Sequence, residues 1–187
     1  LQALQRKVIR TSFAEQAYLH LIEQLKKQIR AIDTEVRRLI ESDPTFKEML
    51  LLLLSVPGVG LLLASHFILL AQFSLEYKLL ASFLGIAPHE HSSGTSVYKP
   101  ATSRHFGPPA IRKLLYLAAC SVCTHRPQFR TYLARKTQQG KPARLVLNNV
   151  ENKLIRIMCA VLSSKTAFIE SYHSVQPLAL QKALTVS

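Results

Sequence analysis

From the first residue to Leu39, side chains recur at alternating intervals of three and four: Leu1, Leu4, Val8, Thr11, Glu15, Tyr18, Ile22, Leu25, Ile29, Ile32, Val36 and Leu39, of which only Thr11 and Glu15 break the apolar stripe. This is the heptad pattern of a coiled coil. At 1.5 Å rise per residue, ~40 residues make a helix of about 60 Å. A helix of that length cannot bury its own stripe, so it must pair, either with a second copy of the chain or with a helix from another part of the protein. Phe13, Leu19 and Leu21 lie off the stripe and imply that the N-terminal half touches more than one partner. Ser42-Asp43-Pro44 ends the helix, because a proline disfavours helical geometry at the residue before it. Residues 1–43 are therefore read as a coiled-coil helix that serves oligomerisation or acts as a linker.

Residues 49–73, MLLLLLSVPGVGLLLASHFILLAQF, carry no charge over 25 positions and raise the question of a membrane span. The Pro57-Gly58-Val59-Gly60 break in the middle favours two short helices joined by a turn. Such a unit resembles a helix-hairpin-helix, in which glycines (here Gly58 and Gly60) let backbone amides approach a phosphate at the start of the second helix. Those hairpins usually carry polar or basic residues after the glycines, whereas Leu61, Leu62 and Leu63 stand here, a departure that favours packing. Beyond it we expect a short helix over 75–85 ended by Gly85, a basic helix over 109–125 opened by Pro109, another over 129–141 closed by Gly140, and a last one over about 144–163 with Leu147, Val150, Leu154, Ile157 and Val161 on one face. No alternating β-rich stretch competes. The fold class is all-α: a long N-terminal coiled-coil helix, a compact helical domain over 44–171 and a loose tail over 172–187.

The charge is concentrated in one stretch. Residues 99–165 hold 13 Lys and Arg against a single acidic residue, nearly all of the formal net charge of +13. A solvated face mixes signs. A one-sign segment of this size is a field, and the polyanion that most often matches it is nucleic acid. Cys120, Cys123 and Cys159 make an odd count with no secretory signal ahead of them, which argues for a reducing cytosol. Cys120-x-x-Cys123-x-His125 resembles half a zinc site, but it lies in an apolar helical run with no second cysteine pair, so the thiols are read as buried and structural and no metal site is assigned. The chain begins with Leu1 and is expected to be a fragment with something in front of it.

Between the helices expected over 75–85 and 109–125 runs a polar loop rich in Gly, Pro, Ser and His, within residues 83–116, FLGIAPHEHSSGTSVYKPATSRHFGPPAIRKLLY. Long loops inside compact domains are uncommon and often functional, so chemistry is sought here. A serine hydroxyl is a weak nucleophile at neutral pH. To act as one it needs a base or metal to take its proton and fixed positive charge to stabilise its transition state, and the residues alone single out no serine of this loop for that role. Lys99, Arg104, Arg112 and Lys113 are near enough in sequence to supply the charge, while His89, His91 and His105 are the nearby groups that could take a proton. Further along the basic segment, Arg130, Lys141, Arg144 and Lys153 are expected to contact phosphates.

Together these residues carry a resemblance. The order of a long helix, Pro-Gly-x-Gly (57–60), FLGIAP (83–88), Ser93-Gly94, a loop with Arg104 and Gly107, AIRKLLYLAA (110–119), Gly140-Lys141 and NKLIRI (152–157) is similar to the C-terminal half of insertion-sequence transposases of the one-ten/one-eleven-eleven kind, the RNA-guided recombinases that include the pilin-gene invertases. Its most specific part is G-x-x-P-x-x-x-x-S-G, which stands here as Gly85 to Gly94. The resemblance implies an N-terminal RNase-H-like domain whose acidic residues hold Mg2+, joined by the coiled-coil helix to the domain seen here. It also implies that a serine of the Ser-Gly element attacks a DNA phosphodiester and forms a covalent phosphoserine link. Ser93 holds that position, with Ser92 and Ser96 as lesser candidates and Gly94 beside it. One departure is that His105 stands where many members carry the lysine of a Lys-x-Gly pattern. Either Arg104 takes over the phosphate contact or this copy is degenerate.

Two functions follow. The first is the DNA-binding and strand-transfer part of a transposase or site-specific recombinase, inactive without its metal-binding domain. The second is a non-catalytic nucleic-acid-binding and oligomerisation module in which Ser93 merely caps a turn. For either, the expected partners are DNA, a guide RNA and further copies of the chain through the coiled coil, with no membrane, in the bacterial cytoplasm and on the nucleoid.

Overall fold

The structure is a computed structural model, and it describes residues 12–93, 97–103 and 107–170. Among these residues seven helices follow in order: α1 (Ser12–Glu41), α2 (Pro44–Leu54), α3 (Leu61–Ala71), α4 (Tyr77–Phe83), α5 (Pro109–His125), α6 (Pro127–Gln138) and α7 (Ala143–Ser164). The body is all-helical, as expected. The polar loop between α4 and α5 adds a two-stranded antiparallel hairpin, β1 (Pro88–Ser93) and β2 (Val97–Ser103). The residue types of that segment do not announce a hairpin: apart from Val97, Tyr98 and Thr102 it is short of strand formers. The tail over 172–187 and the stripe positions Leu1, Leu4, Val8 and Thr11 lie outside the described residues.

Helix α1 stops at Glu41 and α2 starts at Pro44, so the break falls at Ser42-Asp43-Pro44. Asp43 caps α2, its Oδ1 accepting from the amides of Thr45 at 2.7 Å and Phe46 at 3.1 Å, and Pro44 occupies the first turn, where its missing N–H costs nothing. The uncharged stretch is split at Pro57-Gly58 into α2 and α3, and among the described residues no helix is long and apolar enough to cross a membrane. Helix α4 closes with a paired turn: the amide of Ile86 donates to Ala81 O and that of Gly85 to Ser82 O, both at 3.0 Å. A single residue, Arg126, separates α5 from α6.

Leu50 and Leu53 of α2, Phe67 of α3, Leu115 of α5 and Leu154, Ile155 and Met158 of α7 are buried in one core with Leu84 and Ile86. The buried face of α7 is broader than the single stripe expected: Val150, Leu154 and Val161 lie in it with Ile155, Met158 and Leu162, while Leu147 and Ile157 pack at its edge. Helix α1 touches α2 and α3, yet Leu25, Ile29, Ile32 and Leu39 on its stripe are 40–60% exposed, and only Ile22 is buried.

Candidate functional site

The hairpin that bears Ser93 is fastened at both roots. At its entry, the side-chain amides of Asn148 and Asn152, one turn apart on α7, each donate to the carbonyl of Ile86 at 3.0 Å, and Asn152 also donates to Asn148 O at 3.0 Å. Ile86 is buried, so its carbonyl needs such partners. At its exit, Gly107 sits at φ +100 against the backbone of α4's end, where a Cβ would come within 2.5 Å of Phe83 O and 3.0 Å of Leu84 C. Only glycine fits there. The chain therefore leaves and re-enters the helical body at one place, between the C-terminus of α4 and the N-terminus of α5.

In the hairpin, Pro88 pairs with Ser103, His89 with Thr102, His91 with Lys99, Ser92 with Tyr98 and Ser93 with Val97. The register shifts between His89 and His91, opposite Pro100 and Ala101, and a bulge is where a strand accommodates a proline that has no N–H to give. Ser93 is thus the last residue of β1, and Lys99 lies within β2. Gly94, Ser96, Arg104 and His105 lie outside the described residues.

The remaining basic candidates fall on three helices and one turn. Arg112 and Lys113 stand on the first turns of α5, Arg144 on the first turn of α7 and Lys141 in the turn between α6 and α7. Arg112 and Arg144 converge on Glu151, which is 7% exposed. Desolvation pushes the Glu151 carboxyl up to about 7, against the pull of those two guanidinium groups. Because the only acidic residue of 99–165 is buried, the surface that segment offers is uniformly basic. Arg130 is turned back to the end of α5, where its guanidinium donates to Thr124 O. Lys153 lies over the Tyr132 ring at 4.4 Å. Sequence reading missed Lys78 and Arg156, which line one cleft with Lys153 and Tyr77; the spacing of Arg156 three residues beyond Lys153 was the available signal.

The turn of the α2–α3 unit is used for packing. Gly58, at φ +79, lies so close to α5 that a Cβ would meet Val122 Cγ1 at 2.6 Å and Ala118 O at 3.0 Å, whereas Gly60 has open space around it. Asp33 of α1 lines the hollow beside these glycines together with Leu61, Leu62 and Leu117, and a carboxylate there repels a phosphate. The three cysteines are free thiols, Cys123 and Cys159 buried, and desolvation pushes the Cys159 thiol up to about 11. Among the described residues no group of three or more His, Cys, Asp and Glu side chains could share a metal ion.

Residues 50–134, from within α2 to within α6 and including the hairpin, match the transposase family described as IS116/IS110/IS902. The chain is 28% identical over 149 residues to the pilin gene-inverting proteins of Moraxella lacunata and Moraxella bovis, a match that covers 78% of this chain and 46% of each of those proteins. It is 29% identical over 148 residues to the 43.6 kDa protein of insertion element IS110 from Streptomyces coelicolor, covering 78% of this chain and 35% of that protein. The chain thus spans less than half the length of these relatives. The matched region holds both roots of the Ser93 hairpin and the first basic turns of α5, and in it the chain is similar to the transposases of the IS116/IS110/IS902 family.

Proposed function

We propose that this chain is the DNA-binding, serine-bearing part of a transposase or site-specific recombinase, and that Ser93 is its nucleophile. The observation that carries the reading is the hairpin fastened at Ile86 and Gly107, whose exit leads directly into α5 with Arg112 and Lys113 on its first turns. Similarity to proteins named for inverting a pilin gene supports it. In the reaction, Ser93 Oγ bonds to the phosphorus of a DNA phosphodiester as the bond from phosphorus to the sugar oxygen of the leaving strand breaks. The seryl proton is lost and the departing sugar oxygen gains one, so a phosphoserine diester and a free strand hydroxyl result. Arg112, Lys113, Arg144 and Lys141, with Lys99 and Arg104 of the loop, supply the positive charge that holds the phosphates.

The relatives are more than twice as long as the part matched here, which accommodates a separate N-terminal domain holding Mg2+ and the site for a guide RNA. The exposed stripe of α1 supports self-association through a coiled coil. The test uses the full-length gene product on a nicked, labelled DNA substrate, followed by a denaturing gel. A protein band shifted by covalent DNA is expected from wild type and from no Ser93→Ala sample, while Ser93→Ala binds DNA as well as wild type and Arg112→Ala binds it less. Salt-sensitive binding with no adduct in either sample would replace this reading with the non-catalytic module.

A further inference from the structure

We propose that the cleft between α4 and α7 binds an unpaired nucleotide of the DNA strand that the hairpin engages, a proposal that rests on the recombinase reading above. The cleft has a volume of about 410 Å³ and is lined by Tyr77 and Lys78 of α4 and by Asn149, Asn152, Lys153 and Arg156 of α7. That volume lies in the range of sites that hold small ligands. Its three charged side chains are all cations. The Arg156 guanidinium lies 4.5 Å from the centroid of the Tyr77 ring, and Lys153 is held over Tyr132 at 4.4 Å, so a row of positive charge on α7 is flanked by two aromatic rings. Aromatic faces beside cations are how proteins hold single-stranded nucleic acid, the ring stacking on a base and the cations meeting its phosphates. Asn149, whose amide makes no hydrogen bond among the described residues, is placed to read a base edge.

The position of the cleft selects DNA near the cut. Ala87 lines it and is followed directly by β1, whose six residues end at Ser93. At about 3.3 Å per residue the cleft is no more than about 20 Å from Ser93 along the strand, or roughly six nucleotides at 3.4 Å each. Asn152, which fastens the hairpin to α7, also lines the cleft, so occupancy of the cleft and placement of the hairpin share one side chain. A base stacked on Tyr77 must present a free face, which a paired and stacked base in a duplex does not.

The experiment measures binding of the full-length gene product to a fluorescent single-stranded DNA, to the duplex of the same sequence and to the corresponding single-stranded RNA. Tyr77→Ala is expected to weaken single-stranded DNA binding by roughly 5- to 100-fold, with little effect on the duplex, and Tyr77→Phe to restore it. Arg156→Gln is expected to lower the salt slope for single-stranded DNA by about one. Because Tyr77 packs at the edge of the core, a DNA strand bearing 5-iododeoxyuridine is photocrosslinked to the unmutated protein, and Tyr77 is the expected attachment point. Equal weakening on single strand and duplex, failure of Tyr77→Phe to restore binding, an effect on RNA alone, or crosslinking only outside the cleft would overturn the proposal. The Ser93 adduct is read separately: an adduct with Tyr77→Ala neutral removes the cleft alone, and a selective Tyr77→Ala loss without an adduct removes only the catalytic reading.

Discussion

Replacing Gly58 by alanine tests how the α2–α3 turn is used. Two costs arise at this position. A residue with a Cβ loses roughly 1–2 kcal/mol in the left-handed conformation that φ +79 demands. The Cβ would also stand 2.6 Å from Val122 Cγ1 and 3.0 Å from Ala118 O, one a core side chain and the other backbone of α5, and overpacking of this kind costs about 1–3 kcal/mol. The reduced freedom of the unfolded chain returns about 0.4–1 kcal/mol. The net loss is about 2–4 kcal/mol, and at roughly 2–4 °C per kcal/mol for a chain of this size the melting temperature falls by on the order of 10 °C. Two other glycines separate the costs. Gly140 has the same φ of +79 with nothing within 4 Å, so Gly140→Ala carries the conformational cost alone, about 1 kcal/mol. Gly60 has neither constraint, and Gly60→Ala stays within about 0.5 kcal/mol of wild type. Thermal unfolding followed by far-ultraviolet circular dichroism ranks the three. If Gly58→Ala melts no lower than Gly140→Ala, the close approach of the turn to α5 is wrong. Val122→Ala should also recover part of the Gly58→Ala loss in a double-mutant cycle.

The two asparagines share one acceptor, so Asn148→Ala or Asn152→Ala alone should cost about 1 kcal/mol, while the double variant strands a buried carbonyl at roughly 1–3 kcal/mol and speeds amide exchange in β1; unchanged exchange in the double variant would contradict the clamp. Gly107→Ala should loosen the same hairpin from its other root, read by the same exchange experiment. Glu151 is raised from 4.5 to about 7 by burial, so between those values the folded chain keeps a proton that the unfolded chain releases, and stability falls as pH rises through that window before levelling above it. Glu151→Gln should flatten that slope and leave the variant more stable than wild type at pH 8, and an unchanged slope in urea titrations would assign it elsewhere. Charging the exposed stripe of α1 with Ile29→Glu and Ile32→Glu should reduce the assembly to monomers by light scattering, whereas a wild type already monomeric at micromolar concentration would remove the coiled-coil proposal.

The helices were legible because each is punctuated by a residue with a local mechanism. Asp43-Pro44, Gly85, Pro109 and Pro127 set boundaries by capping, by turn chemistry or by a missing N–H, and these act within a few residues of chain. The expected helix over 109–125 is α5 to the residue, while the one expected over 129–141 begins two residues earlier, at Pro127. The hairpin was not legible, because its pairing depends on how Ile86 and Gly107 are held by elements distant in the chain, and no apolar alternation marks it. Asn148 and Asn152 were missed for the same reason: their partner lies 62 and 66 residues away. Of the basic residues, net charge found the segment and could not rank its members. Folding divides them, with Arg112 and Arg144 facing a buried carboxylate, Arg130 bonded to a helix end, and Lys153 joined by Lys78 and Arg156 in a cleft. At the α2–α3 turn the leucines that follow the glycines were the better guide than the glycine spacing: they favoured packing over a phosphate contact, and Gly58 lies close against Val122 and Ala118 of α5.

The most direct test of the central claim locates the covalent bond. The full-length gene product is reacted with nicked DNA, the trapped adduct is digested with nuclease and trypsin, and the peptide spanning residues 79–104 is fragmented in a mass spectrometer. A nucleotide mass on Ser93 is the predicted result. The same mass on Ser92 or Ser96 would contradict the assignment of Ser93, and a trapped complex with no modified serine in this peptide would contradict the assignment of the hairpin as the seat of the reaction.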